Sequence, residues 1–407
     1  MHINFLVMEM NHFIKTRFGL VYFSMFAFIG IHMPFWPVWL EYKGISPSGI
    51  AILTALSFAL KIVFTPAVSK IVDRTGQRRE AVIVLACGLF ASIIVFSQTD
   101  SFIPILLLTI LSFACWSPVM SLAESLATVT AREQEFDYGK VRLWGSVGFM
   151  AVAIFSGKLL ERFGEPALLW SICGAAGLLF ISSCLLPKVP VSMVKNQDVN
   201  TSVFFRSKWF ICFLIATTLI QGSHAAYYTF GSIHWRAEGL SDQIIGVLWG
   251  SGVAVEVMVF AFGRVLLCRL GPINVLAIGG VAAAFRWLVI GSTDHLILLL
   301  IAQCLHALSF GASHFAAMQI ITDRVDASLS STAQGIYSAF SMGLGMGVFV
   351  LLSGPLYSSL LGGTFYVMSA VSLLGTVCLL LLRSAQMNKI SLSNSPQTTE
   401  QATPGAA

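Results

Sequence analysis

Four side chains stand where charge is expensive. Lys61, Glu124, Glu256 and Arg286 each fall inside a long apolar run. An ionisable group at mid-membrane depth costs roughly 2.5–3.5 kcal/mol on insertion scales, so each needs a reason. One reading is structural: opposite charges pair and fix helix register. The other is functional: a hydrated cavity binds an anion and passes a proton. A carboxylic acid beside a mobile cation can load a proton when the pair parts and release it when the pair re-forms. Glu256 and Glu124 are the candidates for that work. Arg142, at the start of an apolar run, belongs with them, whereas Lys158 lies near a run's end and can snorkel. Histidine exchanges protons near neutrality, and His224, His306 and His314 also lie in apolar runs.

Rings accompany these charges. Pro34-Phe35-Trp36-Pro37-Val38-Trp39 closes the first apolar run, where two prolines are expected to bend or loosen a helix end. Gln221-Gly222-Ser223-His224-Ala225-Ala226-Tyr227-Tyr228 combines small residues with two phenols, and Trp287 follows Arg286. Trp36, Tyr227 and Tyr228 can contact an aromatic ligand or belong to the interfacial belt of a membrane protein. Trp39 and Trp235 read as belt residues. Gly343-x-Gly345-x-Gly347 reads as a helix-packing strip.

The elements that must position these groups follow from composition. Of the 407 residues, 56% are hydrophobic and 11% charged, against about 25% charged in soluble domains. Mean hydropathy is +0.82. A soluble enzyme, an extracellular disulfide scaffold and a disordered chain are excluded. Apolar blocks of about twenty residues exclude the short alternating strands of a membrane barrel. The eight cysteines lie singly, without C-x-x-C spacing, and read as small packing residues. No metal site, phosphate loop or hydrolase motif is present. The net charge of +5 reflects basic residues flanking the spans, so no nucleic-acid partner is expected.

Twelve apolar segments are expected as helices. Residues 1–17 form an N-terminal segment, 18–187 a six-helix bundle, 188–208 a linker, 209–383 a second six-helix bundle, and 384–407 a disordered tail. Lys43, Arg162 and Arg236 are the basic residues of one set of loops. Lys61, Lys158 and Arg286 lie within spans, and the rest of the 24 Lys and Arg flank the other set. That asymmetry places both termini in the cytoplasm. The halves echo each other at an offset of about 195 residues, as in rocking-bundle transporters. Asp73-Arg74-Thr75-Gly76 matches Cys268-Arg269-Leu270-Gly271, Gly139 matches Gly335, and Lys61 matches Glu256.

Asp73-Arg74-Thr75-Gly76-Gln77-Arg78-Arg79 resembles the major facilitator superfamily signature G-x-x-x-D-R-x-G-R-R, with Ser69 and Gln77 as departures. The resemblance implies gating by Asp73, Arg74, Gly76 and Arg78. Phe136-Asp137-Tyr138-Gly139-Lys140-Val141-Arg142-Leu143-Trp144-Gly145 resembles F-E-F-G-R-x-R-x-x-G of the lactose permease group. There the last arginine of the motif pairs with a helix-four glutamate and binds sugar, positions matched by Arg142 and Glu124. Glu256, Arg286 and His306 match that group's helix-eight acid, helix-nine arginine and helix-ten histidine. The group's acid three residues after that histidine is Ser309 here. Asp137–Ser146, Gln221–Tyr228 and Pro34–Leu40 resemble the 3-phenylpropionic acid permeases of the superfamily.

The expectation is an all-α membrane protein with twelve transmembrane helices in two pseudo-symmetric six-helix bundles. The resemblance implies a proton-coupled symporter importing a small aromatic carboxylate across a bacterial inner membrane. Lys61, Arg286, Trp36, Tyr227, Tyr228 and His224 are the candidate substrate residues. Glu256, Glu124, Arg142 and His306 are the candidates for proton coupling. Protons and lipid are the other partners, no cofactor or enzymatic activity is expected, and the chain is expected to be a monomer. Transport of a sugar, a nucleoside or an exported drug is the alternative, followed by a receptor that does not transport.

Overall fold

The computed structural model describes residues 2–188 and 201–384. Among the described residues, twelve helices are long and apolar enough to cross a membrane. They are α1 (Phe13–Tyr42), α2 (Pro47–Thr75), α3 (Arg78–Phe96), α4 (Phe102–Glu133), α5 (Tyr138–Phe163) and α6 (Pro166–Cys184), then α7 (Lys208–Ala237), α8 (Asp242–Leu270), α9 (Pro272–Ser292), α10 (Leu296–Arg324), α11 (Ala327–Leu360) and α12 (Gly363–Leu382). Lipid offers no partners to backbone amides, so each crossing is helical. The chain is an all-α membrane protein.

Local chemistry sets the helix ends. Ser46, Asp137 and Ser241 accept hydrogen bonds from first-turn amides of α2, α5 and α8, satisfying donors that a helix start leaves unpaired. Gly76 and Gly271 end α2 and α8 at φ 71° and 77°, the left-handed region that glycine enters freely. The sequence echo between Gly76 and Gly271 is thus a shared backbone device. α1 continues through Pro34 and Pro37 to Tyr42 as one helix, which also includes residues 2–12.

In the first half, α1 packs on α5 and α6, and α3 on α4 and α6. In the second, α9 and α7 pack on α12. The halves meet along α5–α8 and α2–α11. Small residues allow these approaches. A Cβ on Gly246 of α8 would lie 2.5 Å from the Ala153 carbonyl of α5. One on Gly354 of α11 would lie 2.7 Å from Ala51 Cβ of α2. The strip at Gly343 and Gly345 packs on Ile62 of α2 and Thr218 of α7.

Three helices depart from regular winding. α7 breaks at Ser223 and His224, while α10 and α11 widen into π-helical turns at Ala307–Ala312 and Ser338–Leu344. Such bulges re-aim side chains and are frequent at functional sites. Trp39 and Trp235 are 1% and 0% exposed, which corrects their reading as interfacial belt residues. Trp39 stacks on Trp36 and Trp235 packs against Tyr227, so their rings fill the interior. Part of the expected linker 188–208 and nearly all of the expected tail 384–407 lie outside the described residues. Within the linker range, the short helix Ser202–Arg206 buries Val203 and Phe204.

Candidate functional site

A cavity of about 250 Å³ opens between α1, α2 and α4, closed on one side by Tyr228 of α7. Its walls are mainly rings: Phe28 and Trp36 from α1, Phe58 from α2, Phe113 and Trp116 from α4. Spacing explains the walls. Phe28, His32 and Trp36 recur every four residues, so they share one face of α1. Phe113, Trp116, Ser117 and Met120 do the same on α4. The rings lock one another: Phe28 lies 4.7 Å from Trp116 and Trp36 4.7 Å from Trp39, centroid to centroid.

Lys61 is the charged residue lining this cavity. It makes no hydrogen bond or ion pair with another described residue. The charge of Glu124 acts on it from α4, and its own charge acts on His314 of α10. An ammonium facing a ring-lined cavity, with no partner of its own, is a ready site for an anion.

Arg286 is built differently. It is fully buried and its guanidinium is held on several sides. Nε donates to the Ala302 carbonyl at 2.9 Å, Nη1 to Ser309 Oγ at 2.8 Å, and Nη2 to Gln303 Oε1 at 3.3 Å. Nη1 also reaches His306 Nδ1 at 3.1 Å. Tyr227 donates to the same Gln303 oxygen at 3.2 Å. The guanidinium carbon lies 4.6 Å from the Trp287 ring centre and 5.1 Å from that of Tyr227. His224, in the α7 break, places Nε2 3.3 Å from Ser309 Oγ. The π-helical turn of α10 carries Ser309 and begins directly after His306.

Two acids connect this network to the first half. Glu256 Oε2 lies 3.8 Å from His306 Nε2, and the charges of Arg142 and Arg286 both act on Glu256. Glu124 Oε1 lies 3.6 Å from Arg142 Nε. The Arg142 guanidinium also covers the Phe26 ring at 4.2 Å. Glu256 therefore lies in the fields of one arginine from each half.

The two faces of the bundle differ. On the face bearing the α1–α2, α5–α6 and α7–α8 turns, Arg236 Nη2 bonds Glu165 Oε1 at 2.8 Å across the halves, and its Nε lies 2.9 Å from Asp242 Oδ1. The Arg236 hydrogen bond holds the Glu165 carboxyl below the usual range. On the face bearing the start of α1, Arg78 Nη2 bonds Asp73 Oδ1 at 2.9 Å, tying α3 to α2. Arg74 is exposed there and Gly76 supplies the turn.

The structure thus gathers the sequence candidates into groups. Lys61, Trp36 and Tyr228 line the cavity. Arg286, His306, His224 and Tyr227 form the buried network, and Glu256 touches it. Glu124 and Arg142 pair beside it, while Asp73, Arg74, Gly76 and Arg78 form a turn. Tyr228 joins cavity to network, since its ring stacks with that of His224 at 5.9 Å. Sequence reasoning missed His32, Ser117, Gln303 and the ring walls. The i, i+4 run Phe28-His32-Trp36 was the available signal for the first. Arg79 was also missed: it donates to the Leu186 and Cys184 carbonyls at 2.6 and 2.8 Å, capping α6.

The chain's relatives agree with this architecture. The model of the MFS_1 like family matches residues 15–368. The chain is 31% identical over 366 residues to the probable 3-phenylpropionic acid transporter of Escherichia coli (strain K12), covering 88% of this chain and 96% of that one. It is 26% identical over 384 residues to the maltose permease of Geobacillus stearothermophilus, covering 90% and 94%. Among solved structures, the nucleoside transporter NupG superposes with a TM-score of 0.82 at 16% identity, covering 92% of this chain and 100% of that one. At that identity the likeness is one of fold. With twelve membrane-length helices, two meeting halves and a family match along most of its length, the chain belongs to the MFS_1 like family of multi-pass membrane transporters.

Proposed function

We propose that this protein is a proton-coupled symporter that imports a small aromatic carboxylate such as 3-phenylpropionate across a bacterial inner membrane, with both termini cytoplasmic. The observation that carries the reading is Lys61, an unpartnered cation in a cavity walled by rings. The carboxylate pairs with the ammonium, and the phenyl group lies among Trp36, Tyr228 and the other rings. The 31% identity to a probable 3-phenylpropionic acid transporter supports the same substrate class. A sugar would leave its many hydroxyls facing apolar walls, which disfavours that reading.

Import of an anion against a negative-inside potential costs about 2.3 kcal/mol per charge per 100 mV. A single accompanying proton removes that cost, and any further proton adds driving force. Glu256 is suited to carry it, because rocking of the halves changes its distance from Arg142 of the first half. Arg286, already saturated by its neighbours, serves the relay and not the carboxylate. The Arg236–Glu165 pair closes the periplasmic side, and its parting admits substrate. The protein works as a monomer, without cofactor or catalysis.

The test of substrate class is competition. Purified protein in liposomes should take up labelled 3-phenylpropionate, and an excess of unlabelled compound should block the label while maltose and uridine do not. Inhibition by maltose or uridine in its place reassigns the substrate.

A further inference from the structure

Among the polar groups of the cavity lining that, like Lys61, make no hydrogen bond to a described residue are an imidazole and a hydroxyl. The first is the imidazole of His32. Its ring stacks on Phe28 at 5.4 Å and on Trp36 at 5.3 Å, and meets Phe113 edge-on at 5.3 Å. None of these neighbours offers its nitrogens a hydrogen bond, and no described residue does so. The second is the hydroxyl of Ser117. It is 7% exposed, lines the cavity and lacks a hydrogen-bond partner. Buried polar groups are nearly always satisfied. Thr54 and Ser57, also in the lining, follow that rule by bonding the carbonyls of Ile50 and Leu53. Ser117 departs from it, and His32, half-buried in the lining, keeps its nitrogens free for a ligand.

Their places in the cavity differ. Thr65, one turn beyond Lys61 on α2, donates to the Ser117 carbonyl at 3.1 Å. Ser117 therefore lies within about a turn of the cation. His32 faces Phe113, one turn before Ser117 on α4. On α1 it sits one turn, about 6 Å, beyond Phe28, which faces Trp116. A ligand held at its carboxylate by Lys61 would lay its ring against those of Phe28, Trp116, Phe113 and Trp36. The far part of that ring would reach the His32 edge.

From this geometry we infer that His32 selects aromatic carboxylates carrying a ring hydroxyl, such as hydroxyphenylpropionates, whose carboxylate Lys61 holds. A neutral imidazole offers one donor and one acceptor, which matches a phenol, itself donor and acceptor. A site built to bond a ligand hydroxyl discriminates against the analogue lacking it, because the protein group is then left unpaired. This inference rests on the substrate class proposed above, and it narrows that class.

The test measures displacement of labelled 3-phenylpropionate from the purified protein by 3-phenylpropionate, 3-(3-hydroxyphenyl)propionate and 3-(4-hydroxyphenyl)propionate. In the wild type at least one hydroxylated compound should bind about tenfold tighter than 3-phenylpropionate, the yield of one good hydrogen bond. His32→Phe keeps the ring stack and removes the nitrogens. It should erase the preference. A structural role for His32 would weaken all three compounds in step. The ratio is internal to each protein, so His32→Leu serves if His32→Phe does not fold. Binding of 3-phenylpropionate without a hydroxyl preference, or a preference that survives loss of the imidazole, overturns this inference alone. Binding of none of the three overturns the substrate class with it.

Discussion

Arg286 Nη1 lies 3.1 Å from His306 Nδ1. A guanidinium has only donors, so Nδ1 must accept. The ring proton then sits on Nε2, which lies 3.8 Å from the Glu256 carboxylate. Arg286 thereby sets the tautomer of His306 and aims its proton at Glu256. Glu256 gains a facing donor from its own half while the charge of Arg142 acts on it from the other.

Replacing Glu256 should separate coupling from binding. Glu256→Gln keeps the shape and removes the titrating group. Accumulation should fall to the passive level, whereas exchange of labelled for unlabelled substrate should persist within about threefold, since no binding contact is lost. Accumulation at the wild-type level would take the proton role from Glu256.

Lys61→Met removes the cavity's cation and keeps the stem. Losing a charged partner is worth roughly 1.5–3 kcal/mol, or about 10- to 150-fold in substrate affinity. Equilibrium binding to purified protein measures it. Lys61→Arg should recover part of the loss. Unchanged binding by Lys61→Met would move the carboxylate elsewhere.

Disrupting the Arg286 network should act on folding first. Arg286→Leu leaves Gln303, Ser309 and His306 without their shared donor, and each buried acceptor so left unsatisfied costs roughly 1–3 kcal/mol. Thermal unfolding in detergent should show a lowered Tm. A variant as stable as wild type that has lost carboxylate binding alone would restore Arg286 as a substrate contact.

The Arg236–Glu165 pair makes closure pH-dependent, with a definite sign. Arg236 holds the Glu165 carboxyl below its ordinary value in the closed form; once the pair parts, the carboxyl returns to about 4.3. The pair's contribution to closure is full above that value and is lost as pH on this face falls through the closed-form value. Ser48, packed against Gly354, reports opening when replaced by cysteine. Its labelling, measured above that of the native cysteines, should quicken in acid. Arg236→Ala should quicken it at neutral pH. Labelling indifferent to both changes would remove the pair from the gate.

Much of the fold was legible because lipid enforces it. Long apolar runs have no other solution, so the α1–α12 series and the paired turns at Gly76 and Gly271 could be read from composition and spacing. The site was legible only where a residue violated its surroundings. Lys61 and Glu256 announced themselves as charges in apolar runs. His32 and Ser117 did not, since a single polar residue in a span is ordinary until its neighbours are known. The burial of Trp39 and Trp235 was likewise hidden, because span position does not tell which side of a helix faces lipid. The saturation of Arg286 depends on the π-helical turn of α10, which no local residue pattern specified.

The most direct test of the account is uptake of labelled 3-phenylpropionate into proteoliposomes with and without an inward proton gradient. The account predicts accumulation above the external concentration with the gradient, and equilibration alone without it. Equal uptake in both conditions by folded protein would contradict proton coupling. Absence of uptake in either would contradict the substrate as well.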